Sequence, residues 1–147
     1  DALNSFQHKT KKLFKYLDKD KLITPHKAEF HRLFPSIKSN LENNEKVLNF
    51  LKLYKSNILL KGNTTLIGSN KKIIKNLHSS SELAVIGSGD VLAGIIASLV
   101  GDNKMSMFEA AAAGVWLHGD IAKKYGRGLI SEDLIKGIPS ALKRLKK

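Results

Sequence analysis

The stretch Leu83–Ile96, L-A-V-I-G-S-G-D-V-L-A-G-I-I, decides the fold of this 147-residue chain. Its apolar run is interrupted by Gly87, Ser88, Gly89 and Asp90, which we call the glycine knot. The apolar residues after the knot recur at helical spacing, so the knot is predicted to lie at a helix N-terminus. Free N–H groups and the positive end of the helix dipole make such a place attractive to phosphate. Asp90 is then either a favourable first-turn acid or a base held beside a bound anion.

The length and composition suit one domain, with enough apolar residues, 42%, to build a core. No run of eighteen apolar residues is present, and the first twenty residues are polar and Lys-rich, so neither a membrane span nor a signal peptide is predicted. Cysteine is absent, which excludes disulfides and thiolate metal sites and favours a cytoplasmic location. Because the first residue is Asp1 rather than Met, we expect a processed chain or a piece of a longer one.

The net charge is +12, from 25 basic and 13 acidic residues. One interpretation is a polyanionic partner such as nucleic acid, and the other is a Lys-rich solvated surface. Only Arg32, Arg127 and Arg144 are arginines, and the aromatic residues show no stacking repeat. We therefore favour a solvated surface that helps to attract a small phosphorylated ligand, and we do not expect nucleic acid.

The first part of the chain is predicted to contain a helical face, a short strand and a second helix. Phe6, Leu13, Phe14 and Leu17 can share one face of a helix. Leu22-Ile23 is a short strand that stops before Pro25, and residues 29–34 form a helix ended by Pro35. His26 therefore follows a strand end, where α/β proteins place functional groups, or it is an exposed loop histidine.

A second strand is predicted to lead into a polar turn. A helix capped by Ser39 or Asn40 runs to about Tyr54, and the strand Ile58–Leu60 follows. The segment Lys61-Gly62-Asn63-Thr64-Thr65 comes next. It can place an ammonium, hydroxyls and backbone N–H groups around a phosphate, or it is an ordinary hairpin turn. The hairpin strands would be 65–68 and 72–74.

Helices are predicted for the C-terminal part. Ser106 and Glu109 form a capping box before a helix that includes 110–125, whose Ala and Gly residues allow close packing. We expect His118 and Asp120 to be surface or interhelix polar groups, since a metal pair on one helix face needs a spacing of three or four. Two closing helical segments, 131–138 and 139–146, complete the prediction.

Separated segments of the chain match the motifs of one family in order and spacing. Thr24–Phe30 is similar to T-P-H-P-G-E-F, Leu60–Thr65 to L-K-G-x-x-T, and Gly87–Gly94 to G-[ST]-G-D-V-L-x-G. The similarity continues through residues 111–119, 133–135 and 138–139, and Asp1–Asn4 resembles D-A-L-N. On these motifs the chain resembles the ADP/ATP-dependent NAD(P)H-hydrate dehydratases.

The resemblance implies a three-layer α/β, ribokinase-like fold, with residues 1–147 as the C-terminal part of the catalytic domain. The strands would form a sheet covered by the helices that follow Asp90 and Ser106. The D-A-L-N motif falls about midway along the family's domain. The remainder of that domain, and the N-terminal epimerase domain often fused to it, are therefore expected partners, and a homo-oligomer is expected.

The resemblance also implies a reaction and its residues. The family dehydrates hydrated NADH or NADPH with ADP or ATP as co-substrate, by phosphorylation of the ring hydroxyl and loss of phosphate. Asp90 would be the catalytic base, and Gly87, Ser88 and Gly89 the anion hole. His26 and Asp90 would bind the substrate. Mg²⁺ is expected to bridge the phosphates without a dedicated protein ligand set. The residues implied in nucleotide binding are Lys61, Gly62, Asn63, Thr64, Thr65 and Gly89.

The chain departs from the family pattern beside the knot. Val85 and Ile86 stand where the family has Thr and Gly, and Lys27-Ala28 replaces Pro-Gly. A β-branched residue cannot comfortably adopt positive φ, so at Ile86 either the turn is built differently or the anion hole is impaired. Two other functions stay open: a ribokinase-like kinase of a vitamin precursor or sugar, and a non-catalytic remnant or basic binding module. The T-P-H segment favours the dehydratase.

Overall fold

A computed structural model describes residues 3–7, 9–70 and 72–145, within which the chain forms four strands and six α-helices. Its backbone separates into two compact units, Asp1–Lys75 and Asn76–Lys147. The strands are β1 (Leu22–Ile23), β2 (Asn57–Leu60), β3 (Thr65–Ser69) and β4 (Lys72–Asn76). The helices are α1 (Thr10–Phe14), α2 (Lys27–Leu33), α3 (Asn43–Leu53), α4 (Ser88–Gly101), α5 (Met107–Tyr125) and α6 (Ser131–Leu145). Short 3-10 turns cover Asn4–Phe6 and Ser81–Leu83.

The sheet follows the order β1-β2-β3-β4. β1 and β2 are parallel, with Ile23 opposite Ile58, and β2 and β3 are antiparallel, with Leu60 opposite Leu66. Every residue of β2 is buried. The Asn57 side chain donates to the carbonyls of Lys19 (2.8 Å) and Lys21 (2.9 Å), which holds the loop before β1 against β2. The predicted strands are confirmed.

An aromatic cluster forms the core of the first unit. Phe30, Phe34 and Phe50 are completely buried, and their rings meet at centroid distances of 5.0 to 6.4 Å. The expected cap of α3 is wrong: the helix begins at Asn43 after Glu42, not after Ser39 or Asn40. The Glu45 carboxylate accepts the N–H of Glu42 (3.0 Å), so a reciprocal bond over three residues defines the start.

The helix expected over the first apolar face is interrupted. A 3-10 turn at Asn4–Phe6 is separated from α1 by Lys9, which lies outside helical geometry at φ −136°. The predicted face nevertheless packs on the core: Leu13 is buried, while Phe6, Phe14 and Leu17 are partly buried against it. Of the D-A-L-N segment, Asp1 and Ala2 lie outside the described residues.

Three helices build the core of the second unit. α4 begins at the knot as predicted, and α5 begins at the capping box of Ser106, whose hydroxyl accepts the N–H of Glu109 (3.3 Å). A Cβ at Gly114 would lie 2.7 Å from Ile96 Cγ1, so the small residues of α5 do allow close packing on α4. None of the described helices is long and apolar enough to cross a membrane.

The two closing segments are one helix, which corrects the prediction. α6 runs from Ser131 to Leu145 with Pro139 inside it. Proline removes one backbone hydrogen bond from a helix interior, but its fixed φ suits helical geometry. Leu134 and Ala141 are buried on either side of the proline, and Ile138 packs against the same cluster. Burial of this continuous apolar face keeps the helix together.

Two polar residues of α5, His118 and Asp120, are buried, so the expectation of a surface location is wrong for them and the interhelix alternative holds. Asp120 Oδ2 accepts a 2.5 Å hydrogen bond from Arg144 of α6, and Lys124 lies 3.6 Å away. Burial acts to raise the pKa of Asp120, but the Arg144 hydrogen bond and the neighbouring cations outweigh it and lower the pKa below its ordinary value. The charged pair therefore ties α5 to α6.

This pair gives a pH-dependent prediction. The pKa of Asp120 is lower in the folded than in the unfolded state. Its carboxylate therefore stabilises the fold at pH values above the unfolded-state pKa of about 3.9, and this stabilisation is lost as pH falls through the folded-state pKa. Arg144→Met should lower the free energy of unfolding by about 1 to 3 kcal/mol at pH 7. In urea titrations the difference in free energy of unfolding between wild type and Arg144→Met should shrink below about pH 4. The exposed Arg127→Met is the control, and an equal loss there would contradict the assignment.

Candidate functional site

The carboxyl ends of β1 and β2 bring two predicted segments together. His26 and Lys61 pair across a parallel bridge, and the Lys61 N–H donates to the Pro25 carbonyl (2.9 Å). Parallel strands end at the same sheet edge, which is where α/β folds place ligands. This edge therefore carries an imidazole next to the Lys61–Thr65 segment.

His26 caps the helix that follows it. Its Nδ1 accepts the N–H groups of Ala28 and Glu29, each at 3.2 Å, while Glu29 Oε2 accepts the His26 N–H at 2.8 Å. The lone pair on Nδ1 is thereby used, so neutral His26 carries its proton on Nε2, 3.5 Å from Glu29 Oε2. The side chain is half-exposed, so its Nε2 edge is the part left to meet a ligand.

The Lys61–Thr65 segment forms the turn of the β2–β3 hairpin. Thr65 is buried, and its hydroxyl donates to the Gly62 carbonyl (3.3 Å), which closes the turn from inside. The Lys27 stem passes over the turn, with its Cε 3.5 Å from the position of a Cβ on Gly62. The chain thus brings Lys27 to a place that sequence reasoning did not assign, because contact between residues so far apart leaves no local signal.

The knot makes a sharp turn into α4. Gly87 is the N-cap residue with φ 81°, and its carbonyl accepts the N–H groups of Asp90 and Val91, both at 3.0 Å. Ile86 is not among the described residues with positive φ, and its side chain is 99% exposed. The first glycine therefore supplies the left-handed conformation, and Ile86 does not fill the knot. The departure from the family pattern is accommodated by a turn placed on Gly87.

The N–H groups of the knot differ in their partners. Ser88 N–H donates to the Val85 carbonyl at 3.3 Å, a long bond. Within the described part of the chain, the N–H groups of Gly87 and Gly89 donate to no carbonyl. The first turn of a helix leaves such donors open to an anion. The knot thus offers two open donors and one weakly engaged donor at the positive end of α4.

Asp90 lies at the rim of an apolar groove. It is exposed, and among the described residues its carboxylate makes no hydrogen bond or ion pair. The groove measures about 580 Å³ and lies between α4, α5 and α6. Its walls are mainly apolar, with Ile95, Leu117 and Ile138 among them. The Asp90 carboxylate is therefore exposed beside an apolar groove.

A buried hydrogen bond joins the knot to α5. Ser88 and His118 are each 5% exposed, and Ser88 Oγ lies 3.2 Å from His118 Nε2. The bond joins the first residue of α4 to the middle of α5. Sequence reasoning placed His118 on a helix but did not connect it to the knot. The matched segment of residues 111–119, which ends in His-Gly, was the available signal.

A second contact holds the loop segment that precedes Gly87. The Ser131 hydroxyl, at the start of α6, donates to the Ile86 carbonyl. A Cβ at Gly87 would lie 2.9 Å from that hydroxyl oxygen. Gly87 is therefore required twice, for its positive φ and for the close approach of Ser131.

Gly87→Ala should consequently damage the knot. A non-glycine residue at positive φ costs about 1 to 2 kcal/mol, and the contact with Ser131 adds to it. We expect a lower melting temperature and a loss of phosphate affinity, measured by thermal denaturation and by calorimetry with ADP. The control is Gly101→Ala at the other end of α4, where no described atom lies within 4 Å of the added methyl. Unchanged ADP affinity in Gly87→Ala would contradict this account of the turn.

Comparison with known proteins finds a matching family. A family model described as NAD(P)H-hydrate dehydratase matches residues 1–140. The chain belongs to the NAD(P)H-hydrate dehydratase family. It is 38% identical over 107 residues to the ADP-dependent (S)-NAD(P)H-hydrate dehydratase of Neisseria meningitidis serogroup B, a match that covers 71% of this chain and 36% of that protein. It is 35% identical to the bifunctional NAD(P)H-hydrate repair enzyme Nnr of Vibrio cholerae, covering 80% of this chain and 25% of that one.

Solved structures of the dehydratase family share the fold. An ADP/ATP-dependent NAD(P)H-hydrate dehydratase from Bacillus subtilis, co-crystallised with ATP/Mg²⁺, superposes with a TM-score of 0.74 at 26% identity, covering 88% of this chain and 52% of that one. A ribokinase-like superfamily protein from Enterococcus faecalis has a TM-score of 0.78 at 22% identity, covering 97% and 50%. The α/β, ribokinase-like fold is thus confirmed. The chain spans between a quarter and about half of the length of these proteins.

The described residues can be tested for a metal centre. Within the described residues there is no group of three or more His, Asp or Glu side chains that could hold an ion. Mg²⁺ commonly keeps its waters and binds through nucleotide phosphates and one or two carboxylates. Among the described residues, a set of protein ligands that could enclose Mg²⁺ by itself is therefore not found.

Proposed function

We propose that this chain provides the phosphoryl-transfer site of an enzyme that repairs hydrated NADH or NADPH, as in the dehydratase family. One observation carries the proposal: open N–H donors at the start of α4 lie in the same helical turn as the exposed Asp90. An anion cradle beside an unengaged carboxylate is what transfer of a phosphoryl group to an alcohol requires. ADP or ATP is the proposed donor.

In the proposed first step Asp90 acts as general base. Its carboxylate takes the proton of the ring hydroxyl while that oxygen bonds to the terminal phosphorus, and the bond from this phosphorus to the nucleotide breaks. General-base catalysis of this kind contributes roughly 10²- to 10⁴-fold in rate. The N–H groups of Gly87, Ser88 and Gly89 would stabilise the charge on the moving phosphoryl oxygens.

In the proposed second step the new phosphate ester is eliminated. The bond between ring carbon and ester oxygen breaks, and phosphate departs with that electron pair. The adjacent ring carbon loses a proton to solvent, and its C–H electron pair forms the double bond that restores the dihydropyridine. Departure of a phosphate is far easier than departure of hydroxide, which is the reason to phosphorylate first. The product is the reduced cofactor, and the nucleotide is left one phosphate shorter.

The edge of the sheet is proposed to hold the ligands. Lys61, Gly62, Asn63, Thr64 and Thr65 would contact the nucleotide. The Thr65 hydroxyl is already used to close the turn, so its part would be to shape the segment. His26 would offer its half-exposed Nε2 edge to the hydrated dinucleotide. The basic charge of the chain supports recognition of these phosphorylated ligands.

We further propose that the rest of the catalytic domain completes the site, because the matched relatives are two to four times longer than this chain. The bifunctional relatives support an additional epimerase domain as a further partner. A cytoplasmic location and a homo-oligomer stay predictions.

The test is an assay of the complete polypeptide that carries this sequence. Hydrated NADH and hydrated NADPH are incubated with ADP and with ATP, and the return of dihydropyridine absorbance is followed, with phosphate release measured in parallel. Nucleotide-dependent restoration with one phosphate per cofactor supports the proposal. Phosphorylation of vitamin-precursor or sugar alcohols instead would assign a ribokinase-like kinase. Absence of ADP binding together with salt-sensitive nucleic-acid binding would assign a basic binding module.

A further inference from the structure

We propose that His118 is a positioning residue for the glycine knot, acting through the hydroxyl of Ser88. The inference rests on the proposed function only in that it treats the knot as the place where phosphate binds. Three observations carry it: the contact between the two side chains, their burial, and the weak hydrogen bonding of the knot's N–H groups.

The contact is specific in geometry. Ser88 Oγ and His118 Nε2 are 3.2 Å apart, within hydrogen-bond distance, although the residues are 30 positions apart. Whichever group donates, the Ser88 hydroxyl is directed towards α5. It is therefore not aimed at an anion in front of the helix, and Ser88 would contribute its N–H rather than its hydroxyl.

Burial makes the contact consequential. Both residues are 5% exposed, and a buried polar group that loses its partner incurs a desolvation penalty. The Ser88 side chain is thus held in one rotamer. Because Ser88 is the first residue of α4, the bond also restrains the position of its Cα. The close packing of Gly114 on Ile96 keeps α4 and α5 at a fixed separation, so that the bond transmits a defined position.

The N–H groups around Ser88 lack strong partners, although the two carbonyls that precede Ser88 are hydrogen-bonded. The Ser88 N–H bond to Val85 is long, at 3.3 Å, and the neighbouring N–H groups of Gly87 and Gly89 are the open donors of the cradle. Glycines on both sides of Ser88 restrict the backbone less than other residues would. A side-chain anchor on Ser88 therefore determines how closely the open donors converge on one anion.

The first experiment follows amide hydrogen exchange in the complete polypeptide without ligand. Loss of the hydrogen bond should raise exchange at Ser88, Asp90 and Val91 roughly 5- to 10-fold in His118→Ala, because these are the amides that are hydrogen-bonded within the turn. Ser88→Ala removes the same bond with a smaller change of volume and should give the same pattern. It keeps the test decisive if His118→Ala does not fold.

The second experiment measures binding of ADP and of adenosine by calorimetry. Both alanine variants should weaken ADP binding roughly 5- to 10-fold and leave adenosine binding unchanged, because the defect lies at the phosphate cradle. The double variant should be no worse than either single one. His118→Gln, whose amide can still bond to Ser88, should bind ADP within about threefold of wild type.

His78→Gln is the matched control, since the His78 side chain contacts Trp116 and Asp120 of α5 but not Ser88 of α4. It should lower stability without accelerating exchange at the knot. If wild type fails to dehydrate hydrated cofactor while the His118 and Ser88 variants behave as expected, the proposed function is wrong and the positioning role stands. If exchange and ADP affinity in both alanine variants match wild type, the positioning role is overturned, whatever the enzyme's reaction.

Discussion

Asp90→Asn should reduce turnover of hydrated NADH by roughly 10²- to 10⁴-fold, since the amide cannot accept the proton of the ring hydroxyl. Asn is nearly the same size as Asp, and the carboxylate makes no contact among the described residues that the amide would break. The N–H groups of the knot are unchanged. ADP affinity should therefore stay within about threefold or rise, because a negative charge near the phosphates is removed.

Separate measurements of kcat and of ADP affinity make this prediction specific. A loss confined to kcat identifies a group that acts on the reacting atoms, whereas a parallel loss of affinity identifies a distorted cradle. The matched control is Asp102→Asn at the C-terminal end of the same helix, where the carboxylate accepts only the Ser98 hydroxyl (3.1 Å) within the described chain. The control should turn over like wild type. Turnover of Asp90→Asn within tenfold of wild type would remove Asp90 from the mechanism.

Gly119→Ala should be the most destabilising single-methyl change in the second unit. The added Cβ would lie 1.9 Å from the His78 carbonyl oxygen and 3.4 Å from the Ser79 Cα. Both neighbours are backbone, so no side-chain rotation can relieve the overlap. We expect a loss of about 3 kcal/mol or more in the free energy of unfolding.

The segment at His78 is unable to move away from α5 without further losses. The His78 ring stacks on Trp116 at 5.3 Å, the Lys123 ammonium donates to its Nδ1 (3.2 Å), and its Nε2 lies 3.5 Å from Asp120. Urea denaturation and thermal melts measure the effect. Gly101→Ala, which adds its methyl to open space, should change stability by no more than about 1 kcal/mol. Equal effects of Gly119→Ala and Gly101→Ala on stability would show that the backbone at residues 78–79 can shift away from α5.

The local elements were predictable where short-range signals agree. Apolar residues at helical spacing after the knot predicted α4. The capping box of Ser106 and Glu109 predicted the start of α5. Failures occurred where tertiary burial overrides a local signal. Pro139 predicted a break, but the buried face of Leu134 and Ala141 keeps α6 continuous.

The candidate site was predictable as a set of segments but not as an arrangement. His26 and Lys61 were expected at strand ends, and the parallel pairing of β1 with β2 puts them side by side. That Ile86 points outward while Gly87 takes the left-handed conformation could not be read from the order of residues. The expected covering of the sheet by the helices after Asp90 and Ser106 stays a prediction.

The sequence by itself determined the family, the helix that begins at the knot and the acid in its first turn, because these depend on residue types a few positions apart. Only the tertiary structure decided that the Ser88 hydroxyl turns inward to His118 and that Ser131 holds Ile86. Those contacts join residues 30 and 45 positions apart, and their geometry is set by how closely three helices pack around their glycines.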